Sequence, residues 1–268
     1  MNLRRRTGGW AARIHTGVFA VALCTGLTLA LAGCAGSGEG VAAGSQTYFS
    51  PTKAIGNGTG RSFVTMDVNN IPTAIGIEIN EGARAGLPIS PPPTFATEYV
   101  FASPQQIAAT PFTQVSIFYT QGHPPDNIYG VPHYHPIFSL VTPAERAQIV
   151  FGGSAGAAPD PTAVPAGYIS ENFVLPGIGN IYANPNNITI KSLPFNTTDY
   201  DFGYFNGKMS SMNMTVAQQW LDLHGKVTYP IDQPQAYRTS GYYPTTYTVE
   251  YDSDTQVYRF SLGNFVHR

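Results

Sequence analysis

The chain has only two cysteines, Cys24 and Cys34, and both fall near its start. Everything after position 34 must therefore fold without a disulfide, a zinc–thiolate centre or a cysteine nucleophile. A body of this length can bury a core large enough to manage without such staples. The surroundings of the two cysteines explain their placement. Arg4, Arg5, Arg6 and Arg13 form a cationic start with no acidic residue to offset it. An apolar run, Val18 to Leu31, follows and is interrupted at Gly26. It is too short and broken to be a comfortable membrane span, and its order is that of an export signal. Leu31-Ala32-Gly33-Cys34 then matches the lipobox of bacterial lipoproteins: small residues suit an extended segment in a protease cleft, and a thiol accepts diacylglycerol. The expectation is a signal peptide over 1–33, lipid on Cys34, and attachment to the outer face of the cell membrane or to the outer membrane. The arginine run is a weak twin-arginine candidate.

Four of the fourteen basic residues lie in that leader, leaving ten against sixteen acidic residues, a net charge of about −6. Such a balance speaks against a nucleic-acid-binding surface. Charged residues make up 11% of the chain, while Gly (28), Pro (22), Tyr (16) and Phe (15) are plentiful. This composition favours a loop-rich, β-rich body, and its low charge is compatible with homo-oligomer assembly.

Residues 34–60 are small and polar without apolar periodicity, which reads as a flexible tether. From 61 to 268 the pattern is that of one domain of the α+β class, mainly antiparallel sheet with a few short peripheral helices. Ser62 to Val68 and Ala74 to Ile79 form an expected hairpin across Asn69-Asn70 and Pro72. Further strands are expected at Glu98–Phe101, Gln114–Tyr119, His135–Leu140, Tyr200–Phe205, Tyr247–Tyr251 and Val257–Leu262. The last two alternate well and close as a hairpin over Asp252-Ser-Asp-Thr255. Three helices are signalled by a hydroxyl followed three residues later by Glu or Gln, at Ser103/Gln106, Thr142/Glu145 and Thr215/Gln218. Proline at the first helical position supports the first two. The second would stop at Gly152-Gly153 and the third at Gly225.

One segment gathers side chains capable of chemistry: Gly122-His-Pro-Pro-Asp-Asn-Ile-Tyr-Gly-Val-Pro-His-Tyr-His-Pro-Ile-Phe138. On a strand, His133 and His135 at i, i+2 point to one face. Two imidazoles so placed are a base for zinc or a similar divalent metal. His123, with Asp126 near it, would fold back as a third ligand. Pro132 and Pro136 would confine such a strand to a few residues or to a sheet edge. The other reading of the segment is a rigid Pro/His/Tyr loop packed through ring contacts. Asp252-Ser-Asp254 reads as a turn, with a calcium role as the alternative. Glu78, Glu81 and Arg84 read as a solvated edge. The tyrosines at 237, 242, 243, 247, 251 and 258 read as core and subunit interface before a sugar platform. Ser154 follows a helix rather than a strand, and no nucleophile elbow, phosphate loop or dinucleotide fingerprint is present.

At the histidine segment the chain resembles a family of exported bacterial proteins of unknown function, the sigma-E-controlled-protein-like domain. That family carries Gly-His-Pro-Pro, then Tyr-x-Val-Pro-His-Phe-Asp-Phe-His-Phe-Tyr, then a helix with Glu-Arg. Gly122-His-Pro-Pro125, Tyr129-Gly-Val-Pro-His133 and Ala144-Glu-Arg146 stand in the matching places. Ile75-Gly-Ile77, Gly86-Leu-Pro88, Tyr204-Phe-Asn-Gly-Lys208, Gly241-Tyr-Tyr-Pro-Thr245 and Phe260-Ser-Leu-Gly-Asn-Phe265 extend the likeness from Arg61 to the end. The resemblance implies export, a β-rich domain and possible homo-oligomers. It fails at the family's polar positions. Where the family has His-x-Asp-x-His this chain has His133, His135 and Ile137. A further family histidine is Ile181, and an acidic Glu-Pro-Met is Met212-Asn213-Met214.

The leading functional expectation is a non-catalytic binding or assembly module held in the envelope, with membrane lipid, an envelope partner and its own copies as partners. The alternative is a metal-binding protein or metal-dependent enzyme at His123, His133 and His135, with metal-bound water as the reactive group. An aromatic glycan-binding module is a third.

Overall fold

The structure, a computed structural model, describes residues 44–88, 97–123, 126–186 and 195–268. It is built mostly of antiparallel strands in two seven-stranded sheets. The first sheet contains β1 (Gln46–Phe49), β2 (Lys53–Ile55), β3 (Gly58–Met66), β4 (Pro72–Asn80), β12 (Lys226–Pro230), β13 (Tyr242–Asp252) and β14 (Val257–His267). Its order is β1-β3-β4-β14-β13-β12, with β2 also pairing to β3. The second contains β5 (Glu98–Phe101), β6 (Gln114–Thr120), β7 (His133–Ser139), β8 (Ile169–Leu175), β9 (Gly179–Ala183), β10 (Thr198–Phe205) and β11 (Lys208–Ala217), in the order β5-β6-β7-β11-β10-β9-β8.

Alternation explains how the sheets meet. Ile75, Ile77 and Ile79 of β4 and Tyr258, Phe260 and Leu262 of β14 join Met212, Met214 and Val216 of β11 and Tyr200, Phe202 and Tyr204 of β10 in one buried core. The intervening residues of each strand necessarily face outward. On the first sheet that outer face carries a row of alternating charge. Arg61, Glu78, Arg259, Glu250 and Lys226 stand opposite one another on five neighbouring strands. Glu78, expected on a solvated edge, is instead 3% exposed. It is held between Arg61 and Arg259 at 2.8 and 2.6 Å. Arg84 is likewise largely covered, bonded to Asp222 and to the Tyr258 hydroxyl. Local sequence shows only charged residues; Arg259, which completes the clamp on Glu78, and Tyr258, which bonds Arg84, come from a strand over 170 positions away.

The closing hairpin of β13 and β14 is present and longer than expected. Asp252 accepts from the Asp254 and Thr255 amides and pairs with Arg259, so its carboxylate already serves the turn. Tyr243, Tyr247 and Tyr258 are core residues. Other expectations need correction. Residues 46–60, expected as tether, form β1, β2 and the start of β3. Their support is non-local: Thr47 and Thr65 hydroxyls bond at 2.9 Å, and the Arg61 guanidinium lies 3.6 Å over the Phe49 ring. Of the three capping signals, only Thr142 makes a capping box, with Glu145, on the short helix Pro143–Arg146. That helix ends well before Gly152. The segment at Ser103 is a 3-10 turn, Gln105–Ala109, capped by Pro104 with no side-chain bond. Thr215 belongs to β11, and the helix after it, Gln218–Leu221, starts from Ala217. The β10–β11 connection is the two-residue turn Asn206-Gly207, both with positive φ (50° and 74°), the conformation that Asn-Gly favours in tight hairpins.

Candidate functional site

β7 runs for seven residues through the second sheet between β6 and β11, so it is neither cut to a few residues nor placed at an edge, as the prolines led one to expect. The sheet adapts to Pro136 locally. β7 pairs with β11 at Ile137↔Asn213 and again at Tyr134↔Val216, and the pairs between are missing where proline has no N–H to give. The register is unchanged on both sides of the gap. Tyr134 and Phe138 enter the shared core, so His133 and His135 emerge together on the sheet's opposite face. Their ring centroids are 4.7 Å apart, edge to face, and both residues are buried.

His123 reaches the same place from the loop after β6. Gly122 turns the chain there with φ 136°, and a Cβ on it would sit 2.7 Å from the Gly130 carbonyl carbon. Only glycine allows the two ends of the loop to close so tightly. The His123 amide then donates to the Tyr129 carbonyl at 2.9 Å, and its ring stacks on Tyr129. It comes within 4.9 Å of the His133 ring and 5.7 Å of the His135 ring. The three residues thus offer one ligand atom each, all within 4.8 Å of one another. The trio singled out in the sequence is brought together. Asp126 opens the short helix Asp126–Tyr129, and its side chain lies outside the described residues.

The hydrogen bonds assign the nitrogens. His133 Nδ1 is 2.6 Å from the Val131 carbonyl, which only accepts, so Nδ1 carries the proton and Nε2 carries the lone pair. His135 Nδ1 lies 3.2 Å from Thr215 Oγ1. The Nε2 atoms of both are buried with no hydrogen-bond partner. Burial, reinforced by His123, pushes His133 down to about 3. Burial does the same to His135, with His133 and His123 adding to it. Both imidazoles are therefore neutral at pH 7, the form that binds a metal. The bond from Nδ1 to a carbonyl or hydroxyl is the arrangement that orients metal-binding histidines. Nitrogens around a tetrahedral zinc stand roughly 3.3 Å apart, given bonds of about 2.0–2.1 Å, so an ion would draw the rings closer.

Sequence reasoning missed the neighbours of the trio. Thr215 and Asn213 of β11 share its face, as do Asp199 and Asp201 of β10, which pair with them strand to strand. Asn213 Nδ2 donates to Asp201 Oδ1 at 2.8 Å. The signal was present: Asp199-Tyr-Asp-Phe202 and Met212-Asn-Met-Thr215 both alternate with period two. Burial raises the Asp201 carboxyl well above the usual range, and Glu171 and Asp199 raise it further. Tyr129 and Phe195 form an aromatic wall beside His123 and His133. Phe118, Ile137, Leu175, Ile178, Ile181 and Ala183 form a separate apolar cluster on this outer face. Ile137 and Ile181, two positions where the family resemblance fails, meet in that cluster. Apolar substitutions there are packed together rather than scattered.

Cys34 and residues 1–33, expected as a signal peptide, lie outside the described residues, among which no helix is long and apolar enough to cross a membrane. No family model, no curated protein and no solved structure matches this chain, so the resemblance rests on its quoted motifs alone.

Proposed function

We propose that this protein is a lipid-anchored envelope protein whose single β-rich domain holds one divalent transition-metal ion at His123, His133 and His135. One observation carries the reading: His133 and His135 each leave a buried Nε2 without a partner, and one ring nitrogen from each of His123, His133 and His135 lies within 4.8 Å of the others. A buried acceptor without a partner costs about 1–3 kcal/mol, and an ion would satisfy both atoms at once. An all-imidazole set suits zinc, copper, nickel or iron more than magnesium or calcium. The fixed Nδ1 bonds to Val131 and Thr215 orient His133 and His135 for such a role. The lipid anchor is supported by the lipobox ending at Cys34.

Elemental analysis of tag-free protein tests the metal. The expected result is about one equivalent of transition metal, lost in the His133→Ala/His135→Ala variant. Metal-free protein that takes up none when zinc, copper or nickel is supplied, and whose melting temperature ignores all three, would contradict the proposal.

A further inference from the structure

The loop over 231–241, between β12 and β13, encloses a cavity whose frame is tied by its own side chains. The Gln233 amide donates to the Ile231 and Pro244 carbonyls at 2.9 and 3.2 Å and accepts from the Tyr237 hydroxyl at 2.7 Å. The Tyr237 ring stacks on Tyr243, with centroids 3.8 Å apart. Tyr243 in turn donates to the Thr239 carbonyl at 3.0 Å. Gly241 and Arg268 exchange two main-chain hydrogen bonds, and the Ser240 hydroxyl closes on the Arg268 carbonyl at 2.7 Å. The cavity between these points measures about 430 Å³, within the roughly 300–1,000 Å³ of small-molecule sites. Two side chains on its wall take no part in the frame. Among the described residues, neither the Gln235 amide nor the Arg268 guanidinium makes a hydrogen bond or ion pair, and both residues are exposed. Tyr237 is half-buried and lines the cavity, while Tyr243 behind it is buried, so one aromatic plate is presented and backed by another. No acidic side chain lines the cavity, and Arg268 brings its one charged side chain.

We infer that this cavity binds a neutral saccharide. A pyranose ring has an apolar C–H face and a rim of hydroxyls, and the wall offers a partner to each. The C–H face lies on Tyr237, whose ring is amphipathic and fixed in place. The rim meets Gln235, which both donates and accepts, and Arg268, whose planar fork donates to two neighbouring oxygens. With no carboxylate on the wall, a cationic amine finds no counter-charge. A single exposed guanidinium is screened by solvent, so it serves as a hydrogen-bond donor more than as a selector of anions. Because the frame is complete before the sugar enters, little side-chain ordering opposes binding. The site shares no residue with the histidine trio and stands independently of the metal reading.

Saturation-transfer NMR on the tag-free full chain tests this, using the methyl glycosides of glucose, galactose, mannose, N-acetylglucosamine and glucuronic acid at millimolar concentration. At least one neutral glycoside is expected to receive transfer, strongest at the ring protons of one face. Gln235→Ala and Arg268→Ala leave every bond of the frame in place, and each should weaken that binding by about tenfold, the scale of one hydrogen-bonding group lost. Tyr237→Leu, checked for folding by its melting temperature, should abolish the one-face pattern. Transfer to none of the neutral glycosides, transfer to the glucuronide alone, or binding that neither Gln235→Ala nor Arg268→Ala changes would overturn the inference.

Discussion

His135 is held through Nδ1 by a residue eighty positions away, Thr215, and that bond gives the metal reading its most specific consequence. Removing an outer partner of a metal-binding histidine commonly lowers affinity 10–100-fold. Thr215→Val keeps the shape and drops the hydroxyl, so chelator competition should show weaker zinc binding of that order with little change in the circular dichroism spectrum. Unchanged affinity would mean that Thr215 does not position the ring. His133 makes a prediction in pH. Its folded value is about 3, against about 6.5 in an unfolded chain. Below pH 6.5 the unfolded chain takes up a proton that the folded site refuses. Stability from this group is therefore complete above about 6.5 and falls as pH drops toward 3, by up to about 1.4 kcal/mol per unit. Urea unfolding of metal-free protein between pH 7 and 5 should show a shallower loss in His133→Asn than in the parent. Parallel slopes would contradict the assignment. The histidines were legible in the sequence because i, i+2 on a strand needs no tertiary knowledge. Thr215 was not, since a hydroxyl three residues before Gln218 imitates a helix cap until the strand beneath it is seen.

Strands and turns were legible where local chemistry repeats. β3–β4 and β13–β14 alternate cleanly and close over polar turns, and both hairpins are present. β11 was hidden because Met and Ser dominate its first half and neither favours strands strongly. β1 and β2 were hidden because their stabilisation comes from partners on β3. The charge row across the first sheet was invisible for the same reason, and it can be tested at Glu78. Breaking a fully buried ion pair by removing one partner costs about 3–5 kcal/mol. Arg61 and Arg259 are 37% and 28% exposed and recover some hydration, so Glu78→Ala should cost less, about 2 kcal/mol. Chemical denaturation measures it; a change within about 0.5 kcal/mol, usual for surface sites, would show the row to be ornamental to stability.

At the scale of the whole molecule, β1 begins at Gln46, so eleven residues, 35 to 45, separate it from Cys34. That shortens the expected tether and limits its reach to roughly 40 Å at about 3.3–3.6 Å per residue. With lipid on Cys34 the body stays close to the bilayer, and Cys34→Ser should move the protein from the membrane fraction to the soluble one. If that variant fractionates with membranes like the parent, the anchor is elsewhere. The two sheets divide the work: one face of each builds the shared core, and the second sheet's outer face gathers imidazoles and carboxylates that the sequence places on three separate segments. The central claim is that the ion sits among the imidazoles. An anomalous difference map from crystals soaked in zinc, recorded at the zinc edge, tests it most directly. One dominant peak is expected, bonded to His123, His133 and His135 at about 2.0–2.1 Å, with the rings drawn together. A map whose zinc lies only at surface sites, with the trio unchanged, would contradict it.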